Sequence, residues 1–218
     1  MKRVVVLISG QGRNLQALME ACADGGIPAR IVAVISNKPD APGLARARGA
    51  GIATRVIPHA GYSSREDFDA ALAQEIDLHR PDMILLAGFM RVLTDGFVRR
   101  YRGRLLNIHP SLLPKYPGLN THRRALEAGD REHGATVHFV TEALDGGPAI
   151  IQGQFSVLPQ DTADSLAQRV MNEIETRIYP LAAAWMARGE LNLENDRVLL
   201  RGAVLGAPLR LSELPDDL

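Results

Sequence analysis

The chain has 218 residues, of which 46% are hydrophobic and 23% charged. This is ordinary globular usage, and the length suffices to bury most of the unfolded surface without disulfides or metal. Lysine plus arginine (25) equals aspartate plus glutamate (25), so nothing argues for a duplex nucleic-acid partner; a local basic pocket for a small anion stays open. The lone cysteine, Cys22, cannot close an internal disulfide and reads as a small buried hydrophobe on a helix. The apolar run Val4–Ile8 is too short for a signal-peptide core or a membrane span. A cytoplasmic protein with no membrane partner is expected.

In chain order, short apolar runs at Val4–Ile8, Ile31–Ile35, Thr54–Ile57, Met83–Ala87 and Leu105–Ile108 alternate with helical patterns at Asn14–Asp24, Gly43–Gly49, Arg65–His79 and Thr94–Tyr101. Runs rich in Val, Ile and Leu, punctuated by Gly, Pro or Asn, are the mark of strands buried on both faces. Thr94 is the expected N-cap of its helix. The fold class is therefore α/β: an open, mostly parallel twisted sheet with helices on both faces, Rossmann-like. Past Pro110 the pattern changes. Pro110–Gly118 holds three prolines and reads as an irregular loop, followed by a short helix over Thr121–Ala128. Strands at Ala135–Thr141 and Ala149–Val157 flank the turn Leu144–Pro148 and supply antiparallel additions in the C-terminal half. The longest helical pattern is Asp161–Arg188, capped by Asp161 or Thr162, with Ile178, Leu181 and Trp185 toward the core. A hairpin over Leu191–Leu200 and a weakly ordered end follow. Residues 1–190 are expected to form one catalytic domain, with 191–218 a hairpin and tail rather than a second domain.

Ser9–Asn14 joins the first strand to the first helix. In an open α/β sheet ligands sit beyond the carboxyl ends of strands, and a helix start offers free N–H groups to phosphate. Arg13 adds a charge. A tight turn with no ligand fits these residues equally well. Leu15 stands where a dinucleotide fingerprint has its third glycine, so a phosphomonoester suits the loop better than a nicotinamide cofactor.

Leu105–Pro110 is the most informative stretch. Residues two apart on a strand share a face, so Asn107 and His109 project together while Leu106 and Ile108 pack the other side. Pro110 disfavours helix at His109 and stops the ladder there. An isolated pair of this kind is read more simply as a structural polar network. A distant aspartate, Asp145, sits in a glycine-flanked turn. A carboxylate beside an imidazole fixes its tautomer and favours its charged form, and an Asn amide can donate to an oxyanion. Together the three can polarise a carbonyl. The other histidines have plain readings: His59 in a surface loop, His79 at a helix end, His122 at a helix start, His133 before a strand and His138 in it. They lack zinc-site spacing, so no metal is expected. Arg99, Arg100, Arg102 and Arg104 read as a solvated helix end.

The segment Asn107–Pro114, its continuation Lys115–His122, and the stretches His133–Val140 and Leu144–Pro148 resemble the signature of the folate-dependent formyltransferases. Ile8–Leu15 and Leu86–Leu93 match the same family. The resemblance covers nearly the whole chain. It implies 10-formyltetrahydrofolate as formyl donor and co-substrate, and glycinamide ribonucleotide as acceptor. It puts Asn107, His109 and Asp145 on the catalytic positions, and Gly12, Arg13, Asn14 and Glu175 on the ribonucleotide. It lines the folate cleft with Arg65, Met90, Arg91, Val92, Leu93, Asn107, Val140, Thr141, Glu142, Leu144 and Asp145. Two departures are Arg13, where a small serine is common, and Asn120, where a histidine is frequent. Within the family, a tRNA formyltransferase needs a further nucleic-acid-binding domain, and a formyltetrahydrofolate hydrolase usually has a segment ahead of the first strand. A non-catalytic phosphate-binding module on a flavodoxin-like sheet is the rival from another class. Monomer and homodimer are both open.

Overall fold

The computed structural model describes residues 1–215. Five parallel strands build the first part of the sheet: β1 (Lys2–Ile8), β2 (Ala29–Ser36), β3 (Thr54–Val56), β4 (Met83–Leu86) and β5 (Leu105–His109), in spatial order β3-β2-β1-β4-β5. They are joined through α1 (Arg13–Ala23), α2 (Pro42–Gly49), α3 (Arg65–Leu78) and α4 (Asp95–Arg100). The order reverses between β1 and β4, so the loops leaving these two strands diverge and open a crevice at their carboxyl ends. After α5 (Thr121–Glu127), β6 (Glu132–Phe139) runs antiparallel to β5, and β7 (Ala149–Ser156) antiparallel to β6. The expected α/β class with antiparallel additions is thus the observed one.

Alternate residues of each central strand feed two cores. Val4, Val6, Ile8, Leu106 and Ile108 pack with α1 and α7 (Thr176–Ala187) on one face; Val5, Leu7 and Leu105 pack with α3 and α4 on the other. Leu106 and Ile108 therefore face away from Asn107 and His109, as strand alternation requires. Thr94 caps α4 by accepting from the Phe97 amide. Thr162 caps α6 (Ala163–Arg169) in a reciprocal box with Ser165. The Tyr179 hydroxyl lies 3.0 Å from the carbonyl oxygens of both Leu86 and Leu106, tying α7 to β4 and β5 beside the crevice.

Four expectations need correction. The pattern over Asp161–Arg188 is not one α-helix: a π-helical stretch, Val170–Glu175, separates α6 from α7. A single π turn carries no residue-type signature of its own, which hides it from the sequence. His133 lies inside β6, which starts at Glu132 and ends at Phe139 rather than spanning Ala135–Thr141. The segment after Gly202 contains strands. The hairpin of β8 (Leu191–Glu194) and β9 (Arg197–Leu200) gains β10 (Ala203–Val204), and β11 (Leu209–Arg210) pairs with β7 in the main sheet. Residues 216–218 of the expected tail lie outside the described residues. Cys22 is half-buried rather than buried, and burial, with Asp24 nearby, pushes its thiol up to about 11. The arginines at and just past the end of α4 are solvated, as expected, and form surface ion pairs: Arg100 with Asp77, and Arg102 with Asp196 and Glu142.

The turn that carries Asp145 depends on Gly147. A Cβ there would stand 1.8 Å from the Phe139 carbonyl oxygen, an overlap that only backbone movement relieves. Gly147→Ala is expected to cost at least about 1–3 kcal/mol of stability, measured by denaturant unfolding. Gly10→Ala, whose added methyl meets nothing within 4 Å, is the control expected to change little.

His133 is buried with its Nε2 2.9 Å from His122 Nδ1 and its ring edge-on to Phe155. Burial first, then the His122 charge, pushes it from 6.5 down to about 4. The unfolded chain therefore binds this proton before the folded one does. Its contribution to stability is full above about 6.5 and is lost as pH falls toward about 4. Thermal melts across that window should show a shallower acid-side decline for His133→Gln than for the unaltered protein; parallel declines would rule out this origin.

Candidate active site

The structure brings Asn107, His109 and Asp145 together at the carboxyl end of β5. Register sets Asn107 opposite His138 and His109 opposite Thr136. The chain then leaves β6, continues through Val140, and turns at Asp145, whose φ of 49° is left-handed. That bend delivers the carboxylate to the ring: Oδ2 lies 3.4 Å from His109 Nδ1, and both side chains are largely buried, 7% and 10% exposed. The separation is an ion-pair distance, longer than an ordinary hydrogen bond. Asp145 Oδ2 also accepts from the Gly118 amide at 2.8 Å.

Hydrogen-bond chemistry fixes the tautomers. His109 Nε2 is 2.8 Å from the Tyr116 carbonyl oxygen, which only accepts, so Nε2 carries a hydrogen. His138 Nδ1 is likewise 2.8 Å from the Phe139 carbonyl, so its Nδ1 is the donor. In the neutral His138 ring Nε2 is then an acceptor, and Asn107 Nδ2 donates to it at 3.1 Å. Burial holds His138 below the usual histidine range, consistent with that neutral ring, despite Asp145 Oδ1 at 3.8 Å. Asn107 is thereby oriented with its second amide hydrogen unused by this bond. His138, the Tyr116 carbonyl and the Gly118 amide are parts of the site that the sequence reading passed over. Alternation in β6 gave a hint for His138, but the pairing register that puts it against Asn107 is not written in either strand.

The second group lies at the loop after β1. Gly12 adopts φ 72° as N-cap of α1, and a Cβ on it would sit 2.7 Å from Gly43 Cα, so glycine is required for the close approach of α2. No side chain caps the first amides of α1. Asn14 Nδ2 donates to Glu175 Oε2 at 2.6 Å, and Arg13 donates to Asn172 Oδ1 at 2.6 Å. Both Asn14 and Glu175 are buried, and Asn14 Oδ1 has no partner among the described residues. Burial pushes the Glu175 carboxyl up, against the pull of Asn14 and Arg13. Arg13 and Arg46 line an open groove of about 430 Å³ with Gln16, Asn172 and Thr176. Gly12, Arg13, Asn14 and Glu175 are thus one cluster, as their sequence positions did not require.

The remaining residues are more dispersed. Met90, Val92 and Leu144 are 62%, 49% and 55% exposed, large apolar side chains left open to solvent. Leu93 and Val140 pack at the border of the α3–α4 core. Thr141 is half-buried. The Arg91 guanidinium stands 4.6 Å over the Phe68 ring, and its Nε is buried without a partner. Arg65, first residue of α3, is exposed, and Glu142 pairs with Arg99 and Arg102 at 3.9 and 3.6 Å. Among the described residues no hydrogen bond or ion pair joins either to the Asn107–His109–Asp145 group. Among the described residues no three His, Cys, Asp or Glu side chains are grouped to hold a metal, and no helix is long and apolar enough to cross a membrane.

Comparison with known proteins agrees with this geometry. The sequence model of the formyl transferase family, described as "Formyl transferase", matches residues 2–183. A phosphoribosylglycinamide formyltransferase of Escherichia coli strain K12 is 54% identical over 199 residues, covering 91% of this chain and 93% of that protein. One from Haemophilus influenzae is 47% identical over 205 residues, covering 94% and 96%. A solved phosphoribosylglycinamide formyltransferase of Coxiella burnetii, in complex with CHES, superposes with a TM-score of 0.91 at 51% identity, covering 96% of this chain and 98% of that one. The fold, the polar cluster at the end of β5 and these matches together make the chain a member of the formyl transferase family.

Proposed function

We propose that this chain transfers the formyl group of 10-formyltetrahydrofolate to the amino group of phosphoribosylglycinamide (glycinamide ribonucleotide), a step of purine biosynthesis, releasing formylated ribonucleotide and tetrahydrofolate. The observation that carries the reading is the convergence of Asp145 on His109, 3.4 Å apart at a strand end, beside an Asn107 amide held by His138. Residues 1–190 act as one catalytic domain in this reading.

The acceptor amine attacks the formyl carbon, forming a C–N bond and a tetrahedral centre with a developing oxyanion. Asn107 Nδ2 has given one hydrogen to His138 and offers the other to that oxygen. His109 has committed Nε2–H to Tyr116, so the Nδ1–H of its charged ring faces both Asp145 and the oxyanion. Asp145 supports the charge on the ring and, through water, helps carry a proton from the attacking amine to the leaving folate nitrogen. The C–N bond to folate then breaks. No covalent bond to the enzyme forms.

The acceptor is held remotely. The uncapped start of α1, with Gly12 and Arg13, receives the phosphate, and the Asn14–Glu175 pair receives the sugar. The unpartnered Asn14 Oδ1 suits a hydroxyl donor. The folate lies along Met90–Leu93, Val140–Glu142 and Leu144, where exposed apolar side chains suit its aromatic rings, with Arg65 toward its acidic end. Binding far from the reacting carbon positions the amine.

Purified protein assayed with 10-formyltetrahydrofolate plus phosphoribosylglycinamide, plus formyl-acceptor tRNA, or with water alone should turn over only the first combination. In that assay His109→Ala and Asn107→Ala should each lower kcat by about a hundredfold or more while remaining folded. Normal turnover by folded His109→Ala sinks the mechanism, and formate release with water alone converts the reading to a hydrolase. Arg13→Ala should chiefly raise KM for the ribonucleotide, with kcat nearly unchanged; an effect confined to folate would misplace Arg13.

A further inference from the structure

The bond from His109 to Tyr116 rests on a strained residue. Tyr116 has φ 56°, a left-handed conformation that a bulky side chain rarely adopts unless its surroundings impose it. Its carbonyl is the acceptor for His109 Nε2. Were Tyr116 to relax, its peptide group would rotate and the ring would lose the contact that sets its tautomer and tilt. Two residues later the Gly118 amide meets the Asp145 carboxylate, so this short loop grips both members of the ion pair by backbone alone.

The constraint that holds Tyr116 comes from the far side of the loop. Its hydroxyl donates to Asp130 Oδ2 at 2.9 Å, and Lys115 Nζ donates to Asp130 Oδ1 at 2.9 Å. One carboxylate thereby clamps two successive side chains. The Asp130 side chain is only 15% exposed and is itself seated by its amide, which donates to the Ala125 carbonyl at the end of α5. The Arg124 guanidinium covers the other side, 5.1 Å over the Tyr116 ring, and donates to the Pro117 carbonyl at 2.6 Å. Among the described residues Asp130 has no hydrogen bond to His109 or Asp145 themselves; its link to the His109 ring runs through Tyr116.

We propose that Asp130 is a positioning residue for formyl transfer: through the Tyr116 hydroxyl it holds Tyr116 in the left-handed conformation that aims its carbonyl at His109. The inference rests on the formyl-transfer reading above. A residue acting this way sets how often the imidazole is aligned for the tetrahedral step and has no part in binding the ribonucleotide, so its loss appears in kcat and not in KM.

Steady-state kinetics and thermal melts of Tyr116→Phe, Asp130→Ala and the double variant test it. Tyr116→Phe keeps the ring and its contact with Arg124 and removes only the hydroxyl, so it carries the test should Asp130→Ala fail to fold. Each single variant is expected to lose about tenfold or more in kcat, with KM for the ribonucleotide changed less than about twofold. The double variant should be no slower than Asp130→Ala, because both changes break one link. Undiminished kcat in folded Tyr116→Phe, a loss confined to KM, or fully additive losses overturns the role of Asp130. The unaltered protein in the same assay separates the two readings. If it transfers no formyl group, the proposed function itself fails; if it transfers and the variants keep their kcat, only this inference fails.

Discussion

A carboxylate from beyond β6 must reach an imidazole at the end of β5, and the second half of the fold is arranged around that meeting. Asp145 is nearly buried, and a buried charge is tolerated only where partners replace the water it lost. Here it accepts from the Gly118 amide and lies against two imidazole rings, those of His109 and His138. The antiparallel return of β6 supplies His138 and leads into the turn, and the turn needs Gly147 to pass beneath the Phe139 carbonyl. The loop between β5 and α5 supplies the amide. Strand pairing, turn and loop therefore share one purpose, and a shift in any of them is felt at the same two atoms.

Polar groups in this interior are satisfied in chains rather than singly. Asn107 donates to His138, and His138 donates to the Phe139 carbonyl. Alongside, Thr136 donates to the Ser111 carbonyl and accepts from the Leu113 amide, while Gln152 reaches both Thr136 and the Leu113 carbonyl. Such networks make a polar core specific, because each member fixes the orientation of the next. Against that background the two buried atoms without partners among the described residues, Asn14 Oδ1 and Arg91 Nε, stand out. They belong to the segments that follow β1 and β4, the pair of strands between which the sheet changes direction. These are also the segments that the family resemblance assigns to substrates.

The parallel half of the fold was legible because each strand is buried on both faces and each helix on one, so apolar runs and amphipathic stretches alternate cleanly in the sequence. The spacing of Asn107 and His109 was legible for the same reason: strand periodicity alone puts them on one side, with Leu106 and Ile108 on the other. That Asp145 reaches His109 was not, since residues 110–131 separate β5 from β6 and no local rule sets the register of so distant a pair. His138 escaped notice on the same account. Tyr116 and Gly118 act through backbone atoms, which carry no side-chain signature. The two-residue β11 is too short to leave any periodicity, and its pairing to β7 comes from tertiary packing.

The π-helical stretch at Val170–Glu175 has a consequence for how this chain can vary. A regular α-helix turns about 100° per residue, so a single extra residue rotates everything after it by about that amount. Inside the π-helical stretch Asn172 and Glu175 address Arg13 and Asn14. Beyond it, Ile178, Tyr179 and Ala182 belong to the core against the sheet. The extra residue uncouples the two orientations. Straightening the helix by deleting one residue would shift Asn172 or Glu175, which lie inside the irregular turn, relative to Arg13 and Asn14, so the polar cluster and the irregularity are kept together.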